Sequence, residues 1–249
     1  MKLSNRTVLI TGGASGIGLG IAEAFYKSKS KVIVCGRNKA KLAAVKEKFP
    51  DITALPCDVG DAREREKLAR DVLSGFPDLD TLVNNAGIQR YIDLKKGYSE
   101  LKSGGDEIAI NFVATVELTA LFIGQLMKRP SAAVINVSSG LGFMPALITP
   151  VYSATKAAIH TYSLVLRHQL KNTSVNVIEI VPPMVDTGLN KEGRDAAHVK
   201  FRGLALAEYI PAVINGLEKD AEIIFYADGE KIMTEPRAES ESRLLKSAW

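Results

Sequence analysis

The chain alternates between short apolar runs and longer segments in which apolar residues recur at helical spacing. The short runs are rich in β-branched residues and continuously apolar, which is typical of strands covered on both faces. They predict seven β-strands, at Thr7–Ile10, Lys31–Cys35, Thr53–Pro56, Thr81–Val83, Ala133–Val137, Val175–Ile180 and Glu222–Phe225. The longer segments predict helices, among them Ile17–Lys27, Lys39–Lys48, Ala62–Ser74, Asp106–Met127 and Tyr152–Leu170. This alternation indicates an α/β protein with a parallel sheet and helices on both faces.

Two segments interrupt the alternation. Residues 184–203 are polar and follow a strand end, so we interpret them as a mobile substrate loop or as short helices near the site. Residues 228–249 are charged and weakly patterned, which favours a partly ordered tail over a segment that docks a partner. Since the chain has no internal repeat and no linker rich in Pro, Gly or Ser, residues 1–249 are predicted to form one domain.

Composition and charge argue against several classes of function. Hydrophobic residues make up 46% of the chain and charged residues 24%, as in folded globular proteins. The net charge of +4 forms no basic stripe and only 6% of residues are aromatic, so we expect no nucleic-acid partner and consider an anionic cofactor compatible. Neither the two cysteines nor His160, His168 and His198 have metal-ligand spacing, so no metal site is expected. No membrane span or secretion signal is apparent, and we expect a cytoplasmic protein.

A glycine-rich loop, Thr11-Gly-Gly-Ala-Ser-Gly-Ile-Gly18, follows the first strand and leads into a predicted helix. Backbone amides at a helix N-terminus bind phosphate, and glycines let a pyrophosphate approach closely. Tight turns also use glycine, but the strand before this loop and the helix after it favour a dinucleotide site.

The end of the second predicted strand bears on the choice of cofactor. In NAD-selective sites an acidic residue there binds the ribose hydroxyls. Here Gly36 occupies that position and Arg37 follows it. Because a guanidinium would attract a 2′-phosphate, we expect NADP(H) to be preferred; a solvated Arg37 and NAD(H) are the alternative.

Tyr152 and Lys156 lie four positions apart and so project from the same face of a predicted helix. A nearby ammonium lowers the pKa of a phenol and suits it to acid/base work, although ordinary helix faces also contain such pairs. Ser138 and Ser139 follow a strand end, at the sheet edge where ligands of open α/β sheets bind. A serine hydroxyl there could stabilise charge on a carbonyl oxygen or simply cap the strand.

Taken together, these motifs resemble the short-chain dehydrogenase/reductase family. The glycine loop, Asp58-Val59, Asn84-Asn-Ala-Gly87, Asn111, Ser139 and the pair Tyr152 and Lys156 occur in the family's order and approximate spacing. The sequences of residues 84–89, 156–171 and 181–194 further resemble the DltE-type oxidoreductases of this family, which points to no particular substrate.

The resemblance implies a three-layer Rossmann fold with strand order 3-2-1-4-5-6-7 and a catalytic tetrad of Asn111, Ser139, Tyr152 and Lys156. In the family the tyrosine exchanges a proton with the substrate oxygen, and the lysine lowers its pKa and binds the nicotinamide ribose. The serine orients the substrate, and the asparagine holds a water in a proton relay.

The resemblance also implies cofactor contacts. Asp58 is expected to bind the adenine amino group, Val59 to flank the base, Asn85 to lie along the cofactor and Thr187 to approach the nicotinamide amide. The full set is Gly12, Ser15, Gly16, Ile17, Gly18, Arg37, Asp58, Val59, Asn85, Ala86, Gly87, Tyr152, Lys156, Pro182, Val185 and Thr187. Pro182-Pro183 stands where the family generally has Pro-Gly, and it stiffens this loop.

The leading hypothesis is an NADP(H)-dependent oxidoreductase that interconverts a small carbonyl compound and its alcohol. The alternatives are a cofactor-binding sensor or scaffold protein without turnover, and an epimerase or lyase that reuses bound cofactor. Arg90, Lys95 and Arg194 could receive an acidic substrate, but we interpret them as exposed charges. A tetramer is disfavoured, because the chain lacks the glycine-rich C-terminal strand and turn that pack across the tetramer axis in many family members. A homodimer through the helices predicted at Asp106–Met127 and Tyr152–Leu170 is preferred, because their apolar faces exceed what one sheet face would cover.

Overall fold

A sheet of seven parallel strands forms the centre of the protein, in the order β3-β2-β1-β4-β5-β6-β7. The structure is a computed structural model, and it describes residues 1–102, 106–196 and 203–234. The strands are β1 (Thr7–Thr11), β2 (Lys31–Gly36), β3 (Thr53–Pro56), β4 (Thr81–Asn84), β5 (Ala132–Val137), β6 (Val175–Val181) and β7 (Ile223–Phe225). The predicted parallel sheet and its strand order are confirmed. The strand order reverses between β1 and β4. The connections that follow these two strands diverge, and this leaves a crevice at the carboxyl ends of the strands.

Helices cover both faces of the sheet. The α-helices are α1 (Gly16–Lys27), α2 (Lys39–Lys48), α3 (Ala62–Gly75), α4 (Tyr98–Lys102), α5 (Ala114–Leu126), α6 (Pro150–Leu170), α7 (Lys191–Ala196), α8 (Leu206–Glu218) and α9 (Lys231–Thr234). The helix predicted at Asp106–Met127 is divided into a π-helical segment, Ile108–Val113, and α5. Helix α6 begins at Pro150, two residues before the predicted start, because proline is well suited to the first helical position.

Helix α8 is absent from the predictions made from the sequence pattern. Tyr209, Val213 and Leu217 form its buried stripe at helical spacing, which is a detectable signal. Pro211 lies between them, near the helix start, and obscures the pattern because proline usually interrupts helices.

Two apolar cores lie on opposite faces of the sheet. Successive strand residues point to opposite faces, so Ile10 belongs to the core beneath α1, α2 and α8, whereas Leu9 belongs to the core beneath α3, α5 and α6. Phe25 and Phe122 are fully buried, one in each core. Burial of a side chain of this size contributes about 1.5–3 kcal/mol to the free energy of folding. The two cores therefore stabilise the sheet and hold the strand ends in fixed positions.

The two segments that interrupt the alternation are only partly described. Residues 184–203 contain α7, and Val185 forms a β-bridge with Leu204, in keeping with the short helices that were one of the two expectations. Residues 197–202, including His198, lie outside the described residues. In the C-terminal segment, a 3-10 turn at Ala227–Glu230 leads into α9, and the rest of the predicted tail, residues 235–249, also lies outside them.

One helical stretch of the described residues, Ile108–Leu126, is long and apolar enough to cross a membrane by length and composition alone. Its residues Leu118 and Phe122 pack into the sheet core, and Glu117 pairs with Arg65 of α3. The core helix of a water-soluble protein has the same length and composition, so this stretch is weak evidence for a membrane span.

Candidate active site

The carboxyl ends of the central strands open into a cavity of about 850 Å³. It is bordered by the glycine loop after β1, the segments after β4, β5 and β6, and the start of α6. A smaller cavity of about 190 Å³ adjoins it beside the ends of β2 and β3. The topology thus gathers the predicted site residues, which are distant in sequence, at one edge of the sheet.

The glycine loop is closely packed against the segment that follows β4. Gly12 and Gly16 have φ angles of +63° and +57°, a region that favours glycine. A Cβ atom on Gly18 would lie 2.6 Å from the carbonyl oxygen of Gly12, and closer still to the Asn85 side chain. Only a loop without side chains at these positions lets α1 begin here, with its first amide groups at the cavity edge.

Asn85 holds the glycine loop in place. Its Nδ2 donates to the carbonyl oxygen of Thr11 at 2.8 Å, and the Thr11 hydroxyl accepts hydrogen bonds from the backbone amides of Asn85 and Ala86 at 3.0 Å. Asn85 also lines the larger cavity, as do Ser15, Ile17 and Gly87. Asn85 therefore has a structural function in addition to its predicted place along the cofactor.

Cationic side chains border both cavities at the end of β2. Arg37 is 53% exposed, and its Nη1 lies 3.7 Å from Oδ2 of Asp58. Lys41, in the first turn of α2, lines the same two cavities. From the sequence, Lys39 and Lys41 are interpreted as solvated charges, and Lys41 is indeed exposed, but it also borders the cavities. Its place three residues after the helix N-cap Asn38 was the available signal.

The smaller cavity has the two residues predicted to contact an adenine, Asp58 and Val59. Ala86, Gly87 and Ile110 also line it. Oδ1 of Asp58 accepts the backbone amide of Gly60 at 2.9 Å, which fixes the carboxylate at the rim. The combination of apolar walls and one oriented carboxylate suits a flat base with an exocyclic amine.

Tyr152 and Lys156 lie on the face of α6 that borders the larger cavity. The Nζ atom of Lys156 is 5.6 Å from the centre of the Tyr152 ring and donates to the carbonyl oxygen of Val137 at 2.7 Å. Contrary to the expectation that Lys156 lowers the pKa of Tyr152, burial raises this pKa to about 12, a change that Ser139 opposes and the charge of Glu107 enhances. Burial lowers the pKa of Lys156 to about 8, and the Glu179 carboxylate opposes this change.

The two adjacent serines after β5 have different surroundings. The Ser139 hydroxyl accepts the backbone amide of Leu141 at 3.1 Å and lowers the pKa of Tyr152 from its position beside the phenol. The Ser138 hydroxyl instead donates to the buried carboxylate of Glu179. The geometry thus places Ser139, the serine selected from the sequence, next to Tyr152.

Asn111 lies in the π-helical segment before α5. Its Oδ1 accepts the backbone amide of Ile88 at 2.8 Å, and its Nδ2 donates to the Ile88 carbonyl oxygen at 2.9 Å. The same Nδ2 is 3.2 Å from the Thr155 hydroxyl of α6. π-Helical turns often occur at functional sites, and this one brings Asn111 between the segment after β4 and the helix of Tyr152.

The segment after β6 closes the cavity opposite α6. The Pro182 carbonyl oxygen accepts the backbone amide of Gly140 at 2.9 Å, so the proline pair is tied to the turn after Ser139. Val185 is buried, and the Thr187 side chain packs against Gly16 of the glycine loop. Pro182, Val185 and Thr187 all line the cavity where the cofactor contacts were predicted.

The interpretation of Arg194 as an exposed charge is wrong. Its side chain lines the larger cavity, and only 8% of the residue is exposed. The short helix α7, which the sequence pattern did not resolve, turns this residue inward and so accounts for the difference. Lys95 is exposed, as expected. The interpretation of Arg90 as an exposed charge is also wrong, because this residue is half-buried beside Glu107.

Among the described residues, no group of three or more His, Cys, Asp or Glu side chains is placed to hold a metal ion. His160 contacts a buried carboxylate and an aromatic ring. Its Nδ1 lies 2.8 Å from Oε2 of Glu179, and its ring packs on Phe143.

Comparison with known proteins agrees with this geometry. The family model described as short chain dehydrogenase matches residues 6–198. The uncharacterized oxidoreductase DltE of Bacillus subtilis (strain 168) is 51% identical over 224 residues, which cover 90% of this chain and 89% of that protein. The predicted resemblance to this subgroup is confirmed.

Solved structures have the same fold. A short chain dehydrogenase from Burkholderia cenocepacia J2315 in complex with NADP has a TM-score of 0.80 and 25% identity, covering 99% of this chain and 100% of that one. A short chain dehydrogenase/reductase from Burkholderia phymatum in complex with NAD has a TM-score of 0.84 at 17% identity, covering 98% and 96% of the two chains. One neighbour thus contains NADP and the other NAD.

Proposed function

The chain belongs to the short-chain dehydrogenase family and is an NAD(P)-dependent oxidoreductase; we propose that it uses NADP(H) to interconvert a small carbonyl compound and its alcohol. One observation carries the proposal. Tyr152, Lys156 and Ser139 line the same cavity as the glycine loop, so acid/base groups and a phosphate-binding helix start share one space. Asn111 lies directly behind this space, bonded to α6 through Thr155.

The residues present fit a dinucleotide. The glycine loop has no room for side chains at Gly12 and Gly18, yet it leaves the start of α1 open to a pyrophosphate. The smaller cavity offers Asp58 and Val59 to the adenine, and Thr187 lies across the loop from Gly16, toward the nicotinamide end. When bound, the nicotinamide supplies or accepts the hydride.

Tyr152 is proposed as the general acid/base. In reduction its phenol donates a proton to the carbonyl oxygen, and Ser139 donates a hydrogen bond to the same oxygen. Lys156 holds positive charge beside the phenol and binds the nicotinamide ribose, and Asn111 positions a water that returns the proton to Tyr152. The pKa of about 12 for Tyr152 keeps the phenol protonated, as carbonyl reduction requires.

Alcohol oxidation requires the phenolate. A positive charge close to the phenol favours that form. Lys156 supplies such a charge only below its own pKa of about 8, so the two groups act together within a limited pH range.

Arg37 and Lys41 support the preference for NADP(H). Both side chains border the adenosine end of the cavities, and Gly36 stands where an acidic residue would bind the ribose hydroxyls of NAD. A phosphate between two cations forms charge-assisted hydrogen bonds that a hydroxyl does not. NAD(H) remains the alternative cofactor, to be tested directly.

A fluorescence titration with NADPH and NADH, followed by a panel of carbonyl compounds and alcohols, tests the proposal. We expect tighter NADPH binding and turnover of at least one carbonyl compound or alcohol. Tight binding without any turnover would favour a sensor or scaffold protein. Conversion of a substrate without net release of oxidised or reduced cofactor would favour an epimerase or lyase.

We further propose a single cytoplasmic domain that forms a homodimer. The described strands all belong to one sheet, which supports the single domain. The dimer would form through α5, its π-helical extension and α6, where Ile108, Leu164 and Val165 remain exposed on the protomer. Large apolar side chains that share one surface are typical of association sites.

A further inference from the structure

The charged side chains that line the larger cavity are all cations. Among the described residues of its wall they are Arg37, Lys41, Lys156 and Arg194, and no aspartate or glutamate accompanies them. A cavity wall with charge of one sign concentrates ligands of the opposite sign. The cavity wall therefore favours anionic ligand groups near these side chains.

Three of the four cations are accounted for by the proposed function. Arg37 and Lys41 line both cavities, so they belong to the adenosine end. Lys156 lies beside Tyr152, where the proposal assigns it to the reaction. Arg194 lines only the larger cavity and contacts Leu189, at the end where the substrate would bind.

Arg194 is held in the wall by α7. Its guanidinium Nη1 donates to the carbonyl oxygen of Leu189, and its backbone amide donates to Asn190 at 3.0 Å. Its charge also opposes the rise in the pKa of Tyr91 that burial causes, so its field reaches the segment after β4. Arg194 is therefore a fixed positive charge in the cavity wall, and such a charge attracts an anionic group of a ligand.

The other two candidate cations do not compete for this role. Arg90 lies 3.8 Å from Glu107 and donates to the Leu101 carbonyl oxygen at 3.3 Å. Lys95 is exposed on a 3-10 turn. Neither lines the cavity, so the tertiary structure selects Arg194 from the three.

We propose that Arg194 binds a carboxylate of the substrate, which makes the substrates hydroxy acids and the corresponding oxo acids. The planar guanidinium matches the two oxygens of a carboxylate. In oxidation the alcohol carbon gives a hydride to NADP⁺ and the hydroxyl gives its proton to Tyr152. A C=O bond forms and the carboxylate is unchanged. This assignment rests on the proposed function and adds the substrate class.

Pairs of free acids and methyl esters test the assignment. Acetoacetate and succinic semialdehyde are compared with their methyl esters as substrates of the NADPH-bound enzyme, in the wild type and in Arg194→Gln, Arg194→Lys and Lys191→Gln. Lys191 is the matched control, because it lies on the same short helix and its ammonium pairs with Asp195 in solvent.

The wild type is expected to prefer the free acids. Arg194→Gln should raise the KM for the acids by about 10- to 100-fold, the range expected for charged hydrogen bonds, and leave the KM for the esters near the wild-type value. Arg194→Lys should recover part of the loss, since it restores the charge but not the planar fork. Lys191→Gln should resemble the wild type.

Three results would overturn the assignment. The first is equal KM values for acids and esters in the wild type, and the second is an equal rise in the KM values of acids and esters in Arg194→Gln. The third is a preference for dihydroxyacetone phosphate over dihydroxyacetone that is stronger than the preference for the free acids over their esters. If no pair is turned over, calorimetric titration of succinic semialdehyde into the NADPH complex decides, and failure to bind also overturns it. Reduction of neutral carbonyls without acid preference leaves the proposed oxidoreductase function intact. Failure to bind either cofactor removes both proposals.

Discussion

Nδ1 of His160 lies 2.8 Å from Oε2 of Glu179, beneath the floor of the cavity. Glu179 is fully buried in β6, and its other carboxylate oxygen accepts a hydrogen bond from Ser138. These two partners hold a carboxylate where the sheet would otherwise favour an apolar side chain. Because the charge of Glu179 opposes the lowering of the Lys156 pKa, we interpret Glu179 as a positioning residue that keeps Lys156 charged.

Replacement Glu179→Gln should lower the pKa of Lys156 below its present value of about 8. Lysine loses its charge as pH rises through its pKa, so cofactor binding and turnover that depend on this charge should decline at a lower pH than in the wild type. The measurement is the pH dependence of NADPH affinity and of kcat/KM. Glu222→Gln is the control, because Glu222 is an exposed carboxylate just before β7. An unchanged or upward-shifted alkaline limb would contradict the interpretation.

Replacement Tyr152→Phe should remove turnover and leave NADPH affinity close to the wild-type value. The ring retains its packing, and only the proton-transferring hydroxyl is lost. Steady-state rates and a fluorescence titration measure the two effects separately. The control is Tyr162→Phe, because Tyr162 also lies on α6 but does not line the cavity. This variant should keep the wild-type activity. Comparable turnover in Tyr152→Phe would exclude the assigned acid/base role.

The double replacement Arg37→Gln, Lys41→Gln should weaken NADPH binding by about tenfold or more and have little effect on NADH. The reason is that each cation would contribute a charged hydrogen bond only to the 2′-phosphate. Dissociation constants for both cofactors at low and high salt provide the measurement. Lys39→Gln, at the exposed start of the same helix, is the control. An equal loss for NADPH and NADH would show that the two residues do not discriminate between them.

Replacement Gly18→Ala should lower the free energy of unfolding by about 1–3 kcal/mol and weaken cofactor binding, because the new Cβ would overlap Gly12 and Asn85. Gly124→Ala is the matched control in α5, where a Cβ meets no atom within 4 Å. It should be neutral or stabilise by about 0.5–1 kcal/mol. Chemical denaturation and NADPH titration compare the two variants. Equal behaviour of both would argue against the close packing of the glycine loop.

Replacement Val165→Glu should convert the proposed dimer into a monomer, because a carboxylate would be buried in the apolar contact. Sedimentation of the wild type and the variant at micromolar concentration measures the change. Leu94→Glu removes another exposed apolar side chain, away from α5 and α6, and should not alter assembly. A monomeric wild type would remove the dimer from the proposed function.

The order of strands and helices could be predicted from the sequence, and so could most of the residues that line the candidate site. Apolar runs predict strands that are covered on both faces, and helical periodicity predicts the helices that cover them. Both patterns are formed by residues that are close together in the chain. Tyr152 and Lys156 share a helix face through their spacing, and the glycine loop is contiguous, so both are recognisable from the order of residues alone. Asn111 and Ser139 were assigned to the same site as Tyr152 and Lys156 through the resemblance to a known family.

Which side chains of distant segments meet depends on the tertiary structure. Glu179 contacts Ser138 and His160 because β6 pairs with β5 and lies beneath α6, and nothing in its local sequence indicates this. Arg90, Lys95 and Arg194 are all cations that could bind an anion. Of these three residues only Arg194 lies in the cavity wall, because α7 turns it inward. Burial and proximity of this kind arise from the packing of elements far apart in the chain, and for that reason a pattern along the chain cannot specify them.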